Sequence, residues 1–467
     1  MHEAVVQFLD GVCAKVRCRA VHRDIRDELA GHIEEAAAAY QADGMDTEAA
    51  VQQAVRQMGN CDEIGTQLDK KHRPRIDWLT LLFMALFVVV GALVMAVCSR
   101  GYAKRMGMDE WYYFQRFLFY MPIGVAALAA ATFLDYTRLQ KYPWLWLAAG
   151  AALFVLARLF GAWNGGRYYF VIGPLSVSPM HIAPVLFLIG FAGLLERYRG
   201  GGGLELAKLC AAAAGTLLFL IGYSCLGNAV VLALAYAVLL VAAVWRGQFR
   251  GRRQAYFAVF AGMLIFVVLA VLALCLVRPY WAARLTEWIG WGASGDARGN
   301  GWMYQQMRNA LSASQWVGPY MLSVTPDFIL PEAHTDVVWI MLIANAGILA
   351  GIGVAALCGL LVTRMAVTAH RTQQGFGHYL SLGICGLIGA KYLLNLMGCL
   401  NLLPLFGVGL PFLSYGGSDY IANMAAVGLS LSVWRRGRIL PAAAAPAARP
   451  SGKFVTVQDG QIIIKWK

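Results

Sequence analysis

Apolar runs long enough to cross the roughly 30 Å hydrocarbon core of a bilayer recur along most of the 467-residue chain, separated by short polar, glycine-rich or basic stretches. They lie near 78–98, 112–133, 143–161, 180–195, 207–223, 228–245, 255–277, 337–363, 379–400 and 407–433. Inside hydrocarbon each backbone polar group needs an internal partner, so the pattern predicts an all-α polytopic membrane protein of about ten transmembrane helices. The longest polar stretch among them, residues 278–336, separates the seventh run from the eighth.

Residues 1–76 follow another rhythm. Val21, Ile25, Leu29 and Ile33 recur every four positions with Arg23, Asp24, Asp27 and Glu28 between them, as in an amphipathic helix. Gly44 stops this helix, and Asp46-Thr47 can cap a second that carries Val51, Val55 and Met58. The expectation is a cytosolic prefix domain of about three helices, acting in packing or docking, ahead of a transmembrane domain over 77–438. Residues 439–453 have the Ala/Pro composition of a linker. In 454–467, Asp459-Gly460 sits between alternating β-formers, which predicts a hairpin tail.

Charge fixes the expected orientation. The net charge of +13 is concentrated where apolar runs start or stop: Lys70 to Arg75, Arg138 and Lys141, Arg197 and Arg199, Arg246 to Arg253, Arg364 and Arg371, and Arg435 to Arg438. All fall on one side if both termini are cytoplasmic, which needs no nucleic-acid partner and leaves 278–336 outside. The first apolar run starts too late for a cleavable signal peptide. The ten cysteines are scattered without metal or disulfide spacing, and no metal ligand set is expected.

Candidate chemistry gathers in three places. Leu330-Pro331-Glu332-Ala333-His334-Thr335-Asp336 leads into the eighth apolar run, and a carboxylate at a membrane-facing helix start is costly unless it faces water or substrate. Asp336 is therefore the pivot, although Glu332 or Asp336 could also serve as an N-terminal helix charge and His334 as a hydrogen-bonded interfacial residue. A second stretch, Ala162 to Gly173, sets Arg167 among glycines and aromatics; an interfacial turn with a snorkelling cation is favoured over a phosphate grip. The third runs from Asn395 through Pro404, Pro411, Ser414 and Ser418. Its Gly, Pro and Ser density breaks the helix, so it should line a cavity, with Ser414 and Ser418 as cavity wall rather than nucleophiles. Lys391, mid-span, calls for a phosphate or an acidic partner. In 278–336, Trp281, Trp288, Trp302, Tyr304 and Trp316 argue for a folded outer segment.

Two of these stretches carry a likeness to a known family. Leu330 to Asp336 and Leu410-Pro411-Phe412-Leu413-Ser414-Tyr415-Gly416-Gly417-Ser418, with Tyr304-Gln305 and Ala310 to Gly318, resemble the signatures of the SEDS proteins, the RodA/FtsW/SpoVE-like peptidoglycan glycosyltransferases. The resemblance spans about 78–438 in the same topology. It implies a bacterial cytoplasmic-membrane enzyme that polymerises lipid II beside a class B penicillin-binding transpeptidase, with Asp336 at the position of the essential aspartate. A base there would take the proton of an acceptor hydroxyl while the anomeric carbon loses lipid pyrophosphate. That leaving group calls for cations, with Arg167, Arg278, Arg284, Arg308 and His334 as candidates, or for a divalent Mg or Mn ion. Departures from the pattern are Met180, His181 and Pro184 after Ser178-Pro179, Ser224-Cys225-Leu226-Gly227-Asn228 for a Pro-Asp-Leu-Gly-Thr, with Cys225 where the acid is usual, Ala344 to Gly347 for a Glu-Glu-Leu-Gly, and Lys391 for a glutamine. They leave two competitors open: a flippase or transporter of lipid-linked sugars, and a catalytically silent scaffold for the transpeptidase.

Overall fold

The computed structural model describes residues 2–17, 21–72, 76–100, 107–164, 167–249, 279–290, 301–318, 330, 332–372, 375–437, 455–458 and 461–464, with isolated positions between 256 and 273. Most of the expected seventh span (255–277), Arg278, the linker and the Asp459-Gly460 turn lie outside the described residues.

The prefix holds four helices rather than three: α1 (Glu3–Lys15), α2 (His22–Ala42), α3 (Thr47–Met58) and α4 (Cys61–His72). The periodicity that starts at Val21 misses α1, whose Val5, Leu9 and Val12 pack with Ile25, Ile33 and Ala54 into a core of their own. Asp46 does cap α3, its carboxylate accepting the Glu48 N–H, and Gly59 ends that helix at φ +90°.

The membrane part continues with α5 (Trp78–Cys98), α6 (Tyr112–Phe133), a 3₁₀ turn (Tyr136–Lys141), α7 (Pro143–Phe160), α8 (Pro179–Arg197), α9 (Gly203–Gly222) and α10 (Leu226–Trp245). Then come α11 (Pro279–Gly290), α12 (Trp302–Ala313), α13 (Val338–Ala346), α14 (Ile348–Arg371), α15 (Gly375–Cys399) and α16 (Gly417–Arg436). Among the described residues eight helices, α5 to α10 with α14 and α15, are long and apolar enough to cross a membrane. Burial ranks them: 78% of the α8 span and 67% of the α15 span are enclosed, against 22% for α6 and 28% for α14. The inner helices are thus α8 and α15, and α6 packs on α16, α7 on α8, and α10 and α14 on α15. The last helix starts at Gly417, not at 407, because the chain from 401 to 416 is non-helical.

Two further elements differ from the reading of the sequence. The apolar run 337–363 is split at Gly347 (φ +96°) into α13 and α14. A Cβ there would stand 2.7 Å from the Trp316 carbonyl oxygen, and the Ile348 N–H donates to Gln315 O at 2.9 Å. Segment 315–317 is therefore threaded against the break, satisfying backbone groups the interruption frees. The stretch 162–177 is a three-stranded antiparallel sheet, not a single turn: β1 (Ala162–Asn164), β2 (Arg167–Ile172) and β3 (Leu175–Val177), with Asn164 opposite Arg167 and Ile172 opposite Leu175. Near the C-terminus β4 (Val455–Gln458) pairs with β5 (Gln461–Ile464) in the expected hairpin register.

Ion pairs mark one end of the bundle. Asp77 caps α5 and accepts from Arg364 of α14 at 2.8 Å, and Arg436 pairs with Asp135 at 2.7 Å. At the other end the C-termini of α5 and α15 and the N-terminus of α6 border the turn that holds Asp336.

Candidate active site at the Asp336 turn

Residues 332–337 form a turn whose backbone is gripped from two sides. Glu332 takes φ +54°, a conformation that costs an L-residue about 1–2 kcal/mol. Its carbonyl accepts from the Thr335 and Val337 N–H groups, and its carboxylate accepts from the Thr335 hydroxyl at 2.6 Å. On one side the broken segment of 401–416 docks: the Tyr415 N–H donates to His334 O at 2.8 Å, and Ser414 Oγ donates to Thr335 O at 2.7 Å while accepting from the Leu410 N–H. On the other side stands α15. Asn395 Nδ2 donates to Asp336 O at 2.7 Å and to Val408 O at 2.8 Å, and the Cys399 thiol lies 3.7 Å from Asp336 O. One amide thus ties the turn to the broken segment, a fully satisfied buried connection of the kind that fixes geometry.

The Asp336 side chain is half-buried. Gly407, at φ +68°, faces it: a Cβ there would come within 3.7 Å of Asp336 Oδ2. A glycine therefore keeps the space next to the carboxylate and supplies the left-handed turn. Behind Gly407 the segment leans on α10, where a Cβ on Gly227 would lie 2.3 Å from Phe406 O. Phe412, 1% exposed at φ +68°, packs on Phe87 with ring centroids 5.3 Å apart, and its carbonyl would meet a Cβ on Gly91 at 2.7 Å. A bulky residue held in that region signals a backbone over-determined by its surroundings.

His334 stacks on Tyr113 of α6, with centroids 4.6 Å apart and planes 26° apart. Burial lowers its pKa below the ordinary histidine value, and nearby Glu332 opposes that shift. The ring is thus kept neutral at neutral pH and acts as a flat wall beside the turn. Ser418, like Ser414, commits its hydroxyl to main chain, accepting from the Ser178 N–H at 2.8 Å and donating to Ser176 O at 3.1 Å. Both serines tie segments together. Lys391 is 3% exposed, and its ammonium donates to Asp419 Oδ1 at 2.5 Å and Asn423 Oδ1 at 2.9 Å. It meets an acidic partner inside the bundle.

Arg308 is exposed on α12; the side chains of Arg167 and Arg284 lie outside the described residues. What sequence reasoning passed over is the support: Tyr113 under His334, Gly407 opposite the carboxylate, and Asp419 with Asn423 around Lys391. Asp419 was findable, since an acid in the first turn of a membrane helix needs a partner as much as a mid-span lysine does. Among the described residues no three His, Cys, Asp or Glu side chains group to hold a metal ion. Asp336, Glu332 and His334 do not fit a protein-only cage for Mg or Mn.

A helical membrane bundle with a carboxylate turn strapped between a broken segment and an inner helix is the class this geometry defines. The FtsW/RodA/SpoVE cell cycle protein family model matches residues 77–438, and the chain belongs to that family. It is 30% identical over 390 residues, 80% of this chain and 93% of the relative, to the "Probable peptidoglycan glycosyltransferase FtsW" of Thioalkalivibrio sulfidiphilus. It is 28% identical over 395 residues to the protein of the same name from Thioalkalivibrio sp., covering 82% and 95% of the two chains. A chain of a peptidoglycan synthase complex solved for the coordination of polymerization and crosslinking superposes with TM-score 0.61 and 23% identity, over 77% of this chain and 98% of that one. The similar fold spans nearly the whole of that chain.

Proposed function

We propose that this protein polymerises lipid II into glycan strands at the outer face of the bacterial cytoplasmic membrane, with Asp336 as general base. The family and the names of its relatives support the activity, and one observation supports the residue: Asp336 is a half-buried carboxylate whose backbone is held by Asn395, with a glycine, Gly407, at the position facing its Oδ2. A carboxylate whose main chain is fixed starts from a set position, so only its two side-chain torsions remain to be ordered for the reaction. In the proposed step the carboxylate accepts the acceptor sugar's hydroxyl proton, the hydroxyl oxygen bonds to the donor's anomeric carbon, and the bond from that carbon to the lipid pyrophosphate breaks. The pyrophosphate leaves with the electron pair. Glu332 and His334 border the turn as candidate substrate contacts, His334 through its ring. A divalent ion would have to arrive with the pyrophosphate and take most of its ligands from substrate and water.

Both termini are assigned to the cytoplasm, because the basic residues gather at the end of the bundle away from Asp336. A class B penicillin-binding transpeptidase is the proposed partner, on the pattern of the synthase complex to which the fold is similar. The test is purified protein in liposomes with labelled lipid II. Long glycan chains that vanish in Asp336→Ala are expected; lipid translocation without polymer would replace the proposal by a flippase, and neither activity would replace it by a scaffold.

A further inference from the structure

We propose that the buried Lys391–Asp419 pair is a positioning device for the Asp336 turn, acting through Asn395 one helical turn further along α15; this rests on the polymerase reading above. Three helices meet at the Asp419 carboxylate. Its Oδ1 lies 2.5 Å from Lys391 Nζ of α15 and 3.0 Å from His181 Nδ1 of α8, and its Oδ2 accepts from Asn423 Nδ2 of α16 at 2.8 Å. Asn423 Oδ1 in turn accepts from Lys391. The cluster closes on itself, so each charge has a partner where an isolated one would be costly.

Lys391, Asn395 and Cys399 are spaced by four and stand on one face of α15. The first reaches Asp419 and Asn423, the second reaches Asp336 O and Val408 O, and the third approaches Asp336 O. Towards its other end α15 has polar links of its own, Ser381 Oγ to Ser430 Oγ of α16 at 2.9 Å, Cys385 Sγ to Val362 O of α14 at 3.4 Å and His378 Nδ1 to Ala369 O of α14 at 2.7 Å, but along 383–389 it also touches its neighbours through small residues. A Cβ on Gly386 would come within 3.3 Å of Ala235 Cα, one on Gly383 within 2.9 Å of Leu188 Cδ1, and one on Gly389 within 3.4 Å of Val362 Cγ1. Smooth contacts of that kind permit close approach but specify rotation and height weakly. Buried polar pairs are best attested as devices of register. Here the pair fixes α15 against α8 and α16, and Asn395 transmits that register to the backbone of Asp336. His181 and Lys391 both depart from the family's usual residues, and they converge on the same carboxylate. These two departures form one network built around Asp419.

Lys391 is a positioning residue, since its ammonium is buried and spent on Asp419 and Asn423. The experiment compares wild type, Lys391→Met, Asp419→Asn, the double variant and Lys391→Arg in nanodiscs, reading melting temperature together with kcat and KM for lipid II. Each single neutralisation leaves the other buried charge without its Lys391–Asp419 partner and is expected to lower both stability and kcat. The double variant is expected to regain most of the melting temperature while its kcat stays about tenfold or more below wild type, with KM little changed, because the turn is displaced and not lost. Lys391→Arg should recover much of the rate. A double variant that regains both stability and kcat, or a Lys391→Met protein with wild-type kcat, overturns the inference. Asp336→Asn is run in parallel: if it polymerises normally the polymerase reading falls and takes this inference with it, whereas a dead Asp336→Asn beside an active double variant sinks the positioning role alone.

Discussion

At the scale of single residues the site depends on two positions besides Asp336 itself. Gly407 and His334 shape the space around Asp336 from opposite directions. Replacing Gly407 by alanine forces an L-residue to φ +68°, at about 1–2 kcal/mol, and sets a methyl 3.7 Å from Asp336 Oδ2. Gly407→Ala is therefore expected to melt slightly earlier and to lose polymerising rate well beyond what that loss explains; a normal rate would show that the space beside the carboxylate is not used. For His334 the sign follows from burial, which lowers the folded-state pKa. The unfolded chain then binds the proton first, so stability declines as pH falls below about 6.5 and is fully present above it. Thermal melts between about pH 5 and 7 should show this slope in wild type and a flatter one in His334→Gln; equal slopes would remove His334 from the pH dependence. Asp336, Glu332 and His334 were all visible in the sequence as polar residues at a membrane entry. Tyr113 and Gly407 were not, because an aromatic and a glycine are common in such chains and only proximity makes them part of a site.

At the scale of elements, the broken stretch 401–416 carries the site's architecture. It passes between the Asp336 turn and α10, touching α10 so closely at Gly227 that no side chain fits under Phe406 O. Gly227→Ala should push the segment away from α10. The expected result is strongly reduced polymerisation with helical content by circular dichroism unchanged; retained activity would mean the segment's seat is adjustable. Asn395→Ala removes both donors from the turn and the segment at once, and a buried unsatisfied carbonyl costs about 1–3 kcal/mol. The Gly, Pro and Ser density of this stretch made the break legible in advance. The split at Gly347 was less legible, since Ala344-Asn345-Ala346-Gly347 sits inside an uninterrupted apolar run. Its cause is tertiary: segment 315–317 approaches Gly347 from a distant part of the chain. The small sheet of 162–177 was likewise hidden by shortness, as three-residue strands leave little alternation to read.

At the scale of the whole molecule, the four-helix prefix and the membrane bundle have separate hydrophobic cores. Val12 and Ile33 belong to one, Phe191 and Ile388 to the other. Removing residues 1–75 should leave the membrane part's melting temperature and its lipid II polymerisation in liposomes unchanged; a large fall in either would show that the prefix braces the bundle. The spans follow from composition, whereas the inner rank of α8 and α15 comes from the fold, which presses neighbours close at Gly190, Gly193, Gly383 and Gly386. Partner choice among charged side chains is a different matter: Lys391 announced a need, but only the fold brought Asp419 and His181 to it. The central claim is that Asp336 takes a proton during glycan formation. It is tested most directly by the polymerisation rate of Asp336→Asn, which keeps the side chain's size, in vesicles where its melting temperature matches wild type. A fall of about 10²- to 10⁴-fold is predicted; a rate within about twofold of wild type would contradict the account.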